Sequence, residues 1–256
     1  MTSLLKRPAA LVTGGATRLG FSFAYALAAA GYDIALHYNQ SKGKAEQAAE
    51  SIQALGVSCK IFPFDLSEQD PESLIERVAI EFPTLQLLIN SASSYKAATI
   101  AHTDLALLQQ QFTVNFFAPF LLTSAFAAHC LKGCVINILD NKIAFQQNDY
   151  AAYLLSKKTL AEFTQLAAME YAPRIRINGI APGVVMPGIE RSDDYIKWRV
   201  DGIPLKRQGR VDDVLQAMHY LLNNEFVTGQ ILTVDGGEGI NHQGLNAEQF
   251  NSKNAL

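Results

Sequence analysis

Seven short apolar runs recur along the chain, separated by longer amphipathic stretches, and this alternation narrows the fold more than any other feature. The runs are Ala9 to Thr13, Asp33 to Tyr38, Val57 to Phe62, Leu85 to Ile89, Cys134 to Leu139, Arg176 to Ala181 and Ile231 to Val234, all of strand length. Between them the spacing predicts helices near Leu19 to Ala30, Lys42 to Leu55, Pro71 to Phe82, Asp104 to Leu131, Asp149 to Tyr171 and Val211 to Asn223. Strand, helix and strand in succession join through right-handed crossovers. The expectation is therefore an α/β fold, a single doubly wound domain whose seven-stranded parallel sheet is flanked by helices. Ligands of such sheets bind beyond the carboxyl ends of the strands.

The first strand runs into Gly14-Gly15-Ala16-Thr17-Arg18-Leu19-Gly20 and then an apolar helical segment. Strand, glycine turn and helix make a phosphate cradle: glycine permits close backbone approach to a pyrophosphate, and the free N–H groups of the helix N-terminus face the anion. A plain connector is the bland alternative, and the ionisable residues further along the chain speak against it.

The 256 residues are 49% hydrophobic and 18% charged, enough to bury one large core and too apolar for a disordered chain. All of it, 1–256, reads as one domain, with 184–210 as its own substrate lid and 241–256 as a polar tail. A net charge of -3 without a dense basic run excludes a nucleic-acid footprint. No apolar run approaches the ~20 residues of a membrane span, and Met1 to Pro8 has no signal-peptide pattern, so a cytoplasmic protein is expected. Cys59, Cys130 and Cys134 lack disulfide-framework spacing and read as reduced thiols. His129 beside Cys130 and Cys134 does not supply the four ligands of a structural zinc site, so no metal is expected.

Chemistry concentrates at Asp140, Tyr153 and Lys157. Tyr153 and Lys157 are i and i+4 on one helix face, so the ammonium is expected to lie near the phenol and lower its pKa from about 10 towards neutrality. Such a phenol serves as a proton donor or acceptor.

These residues, in this order, resemble the short-chain dehydrogenase/reductases over nearly the whole chain: Thr13-Gly14 with Gly20, Asp65-Leu66, Asn90-Ser91-Ala92-Ser93, Asn115, Tyr153 with Lys157, Pro182-Gly183 and Val234-Asp235-Gly236-Gly237. The resemblance implies a Rossmann domain with a nicotinamide cofactor. It also implies Tyr153 as catalytic acid, Lys157 on the nicotinamide ribose, and Asn115 holding a proton-relay water. Asp65 and Leu66 would contact adenine, Asn90, Ala92 and Ser93 would line the cleft, Gly14, Thr17, Arg18, Leu19 and Gly20 would hold the phosphates, and Pro182 and Gly183 would border the cofactor.

Two departures point to one branch of that family. Arg18 stands where a glycine is usual, and Asp140 stands where a serine is usual thirteen positions before the tyrosine. Both are similar to the pteridine reductases, in which the arginine lies over cofactor phosphates and substrate and the aspartate joins tyrosine and lysine in catalysis. Ser93-Ser94-Tyr95 adds to the likeness, with Tyr95 expected to stack the pterin against the nicotinamide. The substitution is chemically sensible. A hydroxyl polarises a carbonyl, whereas an ionised aspartate repels a developing oxyanion. A pterin offers ring and amino N–H groups that a carboxylate accepts. Asp140 as a mere turn cap is the bland alternative.

Cofactor choice is read after the second strand, in His37-Tyr38-Asn39-Gln40-Ser41-Lys42. No acidic residue is present there to bind ribose hydroxyls, so NADPH is expected, with Asn39 and Ser41 and Lys42 or Lys44 at the 2′-phosphate and His37 and Tyr38 among the cofactor-binding residues. Gln40 occupies a place where related reductases carry arginine, which implies a looser phosphate grip. Val184, Met186, Trp198 and Leu205 are candidate substrate contacts, Trp198 alternatively a packing anchor of the lid. Phe116, Phe117, Phe120, Phe126 and Phe163 put apolar surface on more than one face of two long helices, and the family's homotetramer would cover it. The expected activity is NADPH-dependent reduction of a dihydropterin such as dihydromonapterin or dihydrobiopterin, or of dihydrofolate. A 3-oxoacyl or similar carbonyl reductase, and a non-enzymatic cofactor-sensing protein of the same fold, are the alternatives.

Overall fold

Strand β1 (Ala9–Val12) is the third strand of a seven-stranded, wholly parallel sheet of order β3-β2-β1-β4-β5-β6-β7. The other strands are β2 (Asp33–Tyr38), β3 (Cys59–Pro63), β4 (Leu85–Asn90), β5 (Gly133–Ile138), β6 (Ile175–Pro182) and β7 (Ile231–Val234). This computed structural model describes residues 7–186 and 192–241. The strand order reverses at β1, with Val12 level with Leu36 of β2 on one side and Ile89 of β4 on the other. The chain leaving β1 goes on to a helix on one face of the sheet and the chain leaving β4 to helices on the other, so a crevice opens beyond these two strand ends.

Helices cover both faces, which is why the strands are continuously apolar rather than alternating. Helices α1 (Arg18–Ala29), α2 (Lys42–Gln53) and α8 (Val211–Asn223) close a core containing Val12, Phe23, Leu27, Leu36, Ile52, Ile136 and Met218. On the opposite face α3 (Pro71–Glu81), α5 (Ala118–His129) and α6 (Ala151–Tyr171) close over Leu11, Leu74, Leu88, Phe126, Val135, Leu160 and Ile177. Successive residues Leu11 and Val12 serve opposite cores, as the two-residue period of a strand requires.

The helix predicted over Asp104 to Leu131 is α4 (Leu105–Phe112), a π-turn at Thr113–Phe117, and α5. Its widening has a local cause. Pro119 has no N–H to offer the carbonyl of Asn115 four residues earlier, so the regular ladder breaks there. Leu105–His129 is also long and apolar enough to cross a membrane by length and composition, which corrects the expectation that no segment is. Here Leu122 and Phe126 of that helix are fully buried against the sheet.

A short helix inside the expected lid, α7 (Asp193–Asp201), was not anticipated. Ser192 caps it by accepting from the Tyr195 N–H. Residues 187–191 of the lid and 242–256 of the expected tail lie outside the described residues. All three cysteines are buried and unpaired, and among the described residues no cluster of metal-ligating side chains forms.

Candidate active site

The glycine loop after β1 is built against the loop after β4. Gly14 sits at φ +62°, and a Cβ there would come within 3.0 Å of the Ala92 Cα. At Gly20 a Cβ would meet the Gly14 carbonyl oxygen at 2.2 Å. Only glycine fits at either place. Thr13 Oγ1, part of the Thr13-Gly14 motif but given no role from the sequence, accepts from the Ser91 and Ala92 N–H groups at 2.9 and 3.0 Å and ties the two loops together. Thr17 and Arg18 open α1, whose first-turn N–H groups face the crevice end of the sheet. Arg18, itself at φ 53°, is exposed, and its guanidinium donates to the Met186 carbonyl across the cleft mouth. Leu19 is half-buried against the α1 core.

His37 and Tyr38 do not meet the expectation of cofactor contacts by their side chains. Tyr38 is buried in the core. His37 is 2% exposed and lies beneath the glycine loop. The Gly14 N–H donates to His37 Nδ1 at 3.0 Å, which makes Nδ1 the acceptor and leaves Nε2–H to donate to the Phe64 carbonyl at 2.9 Å. Burial lowers the imidazole pKa to about 4, so the ring stays neutral. The reason is register: His37 and Tyr38 are the last two residues of a strand still covered by helices. The residues that face solvent there are Asn39, Gln40, Ser41, Lys42 and Lys44. Asn39 donates to Asp65 Oδ2 at 3.2 Å, while Asp65 Oδ1 accepts from the Ser67 N–H and hydroxyl. Those Ser67 bonds, foremost, hold the Asp65 carboxyl below its ordinary pKa. Leu66 is buried in the core and Asp65 half-buried at the rim.

Asn90 also turns inward. Its amide donates to Asn137 Oδ1 at 2.8 Å on β5, and Asn137 donates to Thr164 Oγ1 at 2.9 Å on α6, a buried polar ladder that ties strand to strand to helix. The expectation of an Asn90 side chain lining the cleft is thus corrected; Ala92 and Ser93 remain at the rim.

The catalytic candidates do converge. Tyr153, on the first turn of α6, donates from its hydroxyl to Asp140 Oδ2 at 2.8 Å, and Asp140 Oδ1 accepts from the Lys142 N–H at 2.9 Å. Asp140 thus caps the turn after it and holds the phenol with its other oxygen. Lys157, 3% exposed, donates from Nζ to the Ile138 carbonyl at 2.8 Å. Burial pulls its pKa down to about 8, with the Asp140 charge opposing. The expected lowering of the Tyr153 pKa is reversed: burial foremost, then the Asp140 carboxylate, raises it well above 10. The phenol is buried and meets an anion directly, whereas the ammonium is spent on a backbone carbonyl. Tyr153 is therefore a proton donor held in its neutral form.

Asn115 sits in the π-turn with every amide valence used. It donates to the Ser94 carbonyl and to Ser156 Oγ at 2.9 and 3.1 Å, and accepts from Ser93 Oγ and the Ser94 N–H at 3.0 and 2.9 Å. Its side chain cannot hold the expected relay water. It fixes the Ser93–Ser94 loop against α6, helped by the buried Gln111, which donates to Ser94 Oγ at 2.7 Å.

Tyr95 stands over this cluster, 46% exposed. It stacks on Tyr150 with centroids 4.4 Å apart at 12°, and meets Tyr153 edge-on at 4.6 Å. Lys142 donates to the Tyr95 hydroxyl at 3.2 Å and lies over both stacked rings. Neither Tyr150 nor Lys142 was singled out in the sequence; a second tyrosine three residues before Tyr153, on the same helix face, was the available signal. Behind the site, Gly183 packs on Asp235, where a Cβ would lie 2.7 Å from the aspartate Cβ, and Pro182 ends β6. Val184 and Met186 are half-buried at the cleft wall, Leu205 is 63% exposed, and Trp198 pairs with Tyr195 of its own helix at 5.8 Å.

The residues present fit a dinucleotide: a glycine cradle under a helix N-terminus, a phenol and an ammonium deep in the crevice, and no carboxylate among the residues immediately after β2. Comparison with known proteins agrees. The chain is similar to a 3-oxoacyl-[acyl-carrier-protein] reductase FabG of Staphylococcus epidermidis, 30% identical over 237 residues, covering 89% of this chain and 97% of the relative. It is likewise similar to an uncharacterized oxidoreductase of Mycobacterium tuberculosis, 30% identical over 239 residues, with 89% and 90% covered. Among solved structures, FolM alternative dihydrofolate reductase 1 from Brucella suis in complex with NADP superposes with a TM-score of 0.87 at 30% identity, covering 91% of this chain and 95% of that one. Its counterpart from Brucella canis, also complexed with NADP, gives 0.86 at 29% identity, with 95% and 98% covered. Residues 14–238 match the family described as enoyl-(acyl carrier protein) reductase. With a tyrosine, a lysine and a glycine cradle assembled at the switch point of a parallel sheet, the chain belongs to the short-chain dehydrogenase/reductase family of oxidoreductases.

Proposed function

We propose that this protein is an NADPH-dependent pteridine reductase, converting a dihydropterin such as dihydromonapterin or dihydrobiopterin, or dihydrofolate, to the tetrahydro form. The observation that carries this reading is the Asp140 carboxylate, hydrogen-bonded to the Tyr153 hydroxyl at 2.8 Å where the common pattern has a serine. The cofactor, when bound, supplies the hydride to a C=N carbon. The chain's own residues manage the proton and the pose. Asp140 accepts N–H groups of the heterocycle, the neutral Tyr153 gives a proton towards the ring nitrogen, and Lys157 holds the ribose and balances the carboxylate. Tyr95, backed by Tyr150, presents a flat half-exposed ring on which a pterin can lie. Arg18 and the exposed polar run Asn39 to Lys44 are the groups available to the cofactor phosphates. The likeness to two FolM structures with NADP supports both cofactor and substrate class. On this reading the enzyme works in the cytoplasm as a homotetramer.

The FabG relatives favour a second reading, reduction of a 3-oxoacyl thioester. An NADPH-oxidation assay with dihydromonapterin, dihydrobiopterin, dihydrofolate and an acetoacetyl thioester separates the two, and any turnover excludes a mere cofactor sensor. The expected result is turnover of a pterin or folate and none of the thioester, with Asp140→Ser losing pterin turnover by at least about a hundredfold. Thioester turnover alone, or a fully active Asp140→Ser variant, overturns the proposal.

A further inference from the structure

A buried charge lies behind the active site that the reaction itself does not use. Glu238 is 1% exposed, in the turn after β7, and Arg199 of α7 is 4% exposed. Arg199 Nη1 lies 2.6 Å from Glu238 Oε1. The second oxygen, Oε2, accepts from Asn141 Nδ2 at 2.9 Å. Asn141 is itself buried and immediately follows Asp140, whose carboxylate holds the Tyr153 hydroxyl. Asp235 braces the same turn, accepting from the Gly237 and Gly239 N–H groups at 2.9 and 2.6 Å and from Asn141 at 3.4 Å. The segment after α7 packs on it too: Leu205 N–H donates to the Gly236 carbonyl at 3.1 Å, and Asn241 donates to the Gly202 carbonyl at 3.1 Å.

We propose that Glu238 is a positioning residue, its two carboxylate oxygens joining α7 to the loop that carries Asp140, so that the seating of the helix and the aim of the catalytic carboxylate are set together. A buried ion pair adds little stability over an apolar pair of similar volume, because desolvation offsets the attraction. What it does supply is a connection: Oε1 lies in the ion pair with α7, and Oε2 accepts a directional hydrogen bond from the Asp140 loop. An apolar contact would hold α7 down equally well and leave Asn141 only its longer 3.4 Å bond to Asp235. The inference rests on Asp140 and Tyr153 being the proton-handling pair, and not on which substrate they serve.

Two variants cut the link at different points. Arg199→Met/Glu238→Leu replaces the pair by apolar groups, and Asn141→Ala leaves the pair intact but frees the loop. The readouts are kcat and its pH profile in NADPH oxidation with whichever substrate the wild type accepts, melting temperature, and acrylamide quenching of Trp198, the chain's one tryptophan, which sits on α7. Each variant is expected to fold, lose about tenfold in kcat and shift the pH profile, and combining them is expected to cost no more than either alone. The Trp198 quenching constant should rise about twofold in both, including in Asn141→Ala, where the substitution is on another element. Wild-type kcat in folded variants, or losses that multiply in the combination, overturns the proposal. If the double variant does not fold, Asn141→Ala decides alone. If the wild type turns over no tested substrate, the functional reading falls, while unchanged Trp198 quenching in Asn141→Ala separately overturns the link.

Discussion

His37 shows how a single side chain can serve the cofactor cradle without touching the cofactor. Its neutral ring is fixed between the Gly14 N–H and the Phe64 carbonyl, so the loop's backbone keeps its shape only while Nδ1 can accept. The native pKa of about 4 lies below the unfolded value of 6.5. Above pH 6.5 both states are neutral and the bond's full contribution is present. As pH falls from 6.5 through 4 the unfolded chain takes up a proton that the native protein refuses, and stability drops by up to about 3 kcal/mol. Thermal melts across that window should fall with pH in the wild type. His37→Gln, whose amide can both accept and donate, should flatten that slope at a modest cost near neutrality. An equal acid slope in the variant would assign the loss to another group. NADPH affinity should hold across most of that window and weaken only near pH 4, where the native imidazole itself takes up a proton and releases the Gly14 amide.

At the scale of elements, the glycine loop tests how tightly sequence dictates shape. Gly20→Ala places a methyl 2.2 Å from the Gly14 carbonyl oxygen, an overlap that only a backbone shift relieves. It is expected to cost about 1–3 kcal/mol and to weaken NADPH binding at least about tenfold by calorimetric titration. Gly43→Ala is the control: it lies within α2, has nothing within 4 Å of a Cβ, and should be neutral or stabilise by about 0.4–1 kcal/mol. Unimpaired binding in Gly20→Ala would remove the loop from the cradle. This loop, all seven strands and the Asp140–Tyr153–Lys157 cluster were legible in the sequence, because strand-length apolar runs, glycine spacing and helical period are local signals. What was not legible depends on partners distant in the chain. Helix α7 carries five charges in nine residues and no apolar stripe, so nothing local announces it beyond the Ser192 cap. It is held by Arg199 on Glu238, thirty-nine positions on. The inward turn of His37 and Asn90 is set by Phe64 and Asn137 on neighbouring strands. Direction of a pKa is equally non-local: proximity of Lys157 in sequence suggested an acidified Tyr153, and burial, with the Asp140 carboxylate behind it, decided otherwise.

For the whole molecule, the two helices that carry Asn115, Tyr153 and Lys157 are wet on the side away from the sheet, and that side is apolar. Phe117, Phe120 and Leu121 of the long helix, with Leu155, Leu166 and Met169 of α6, are between 43% and 81% exposed. Rings lock these helices to each other: Phe116 meets Phe120 and Phe163 at 6.0 and 6.1 Å, and Phe120 meets Phe163 at 4.8 Å. The result is one rigid face with few rotamers left to freeze on association, and apolar surface of this extent is uncommon on a protein that works alone. On the proposed homotetramer, two-fold packing of the face against its own copy would bury the same residues twice, and a second axis would close the assembly. The chain mass is 28.0 kDa, so the expected species by light scattering is about four times that mass. Leu166→Glu, 67% exposed in the single chain, sets two carboxylates near the axis and should lower the mass to that of smaller species. Because the same helices aim Tyr153 and Lys157, loss of assembly should lower the melting temperature and kcat together. A wild-type protein that runs at the mass of one chain, or a Leu166→Glu variant of unchanged mass, would take this face out of the assembly.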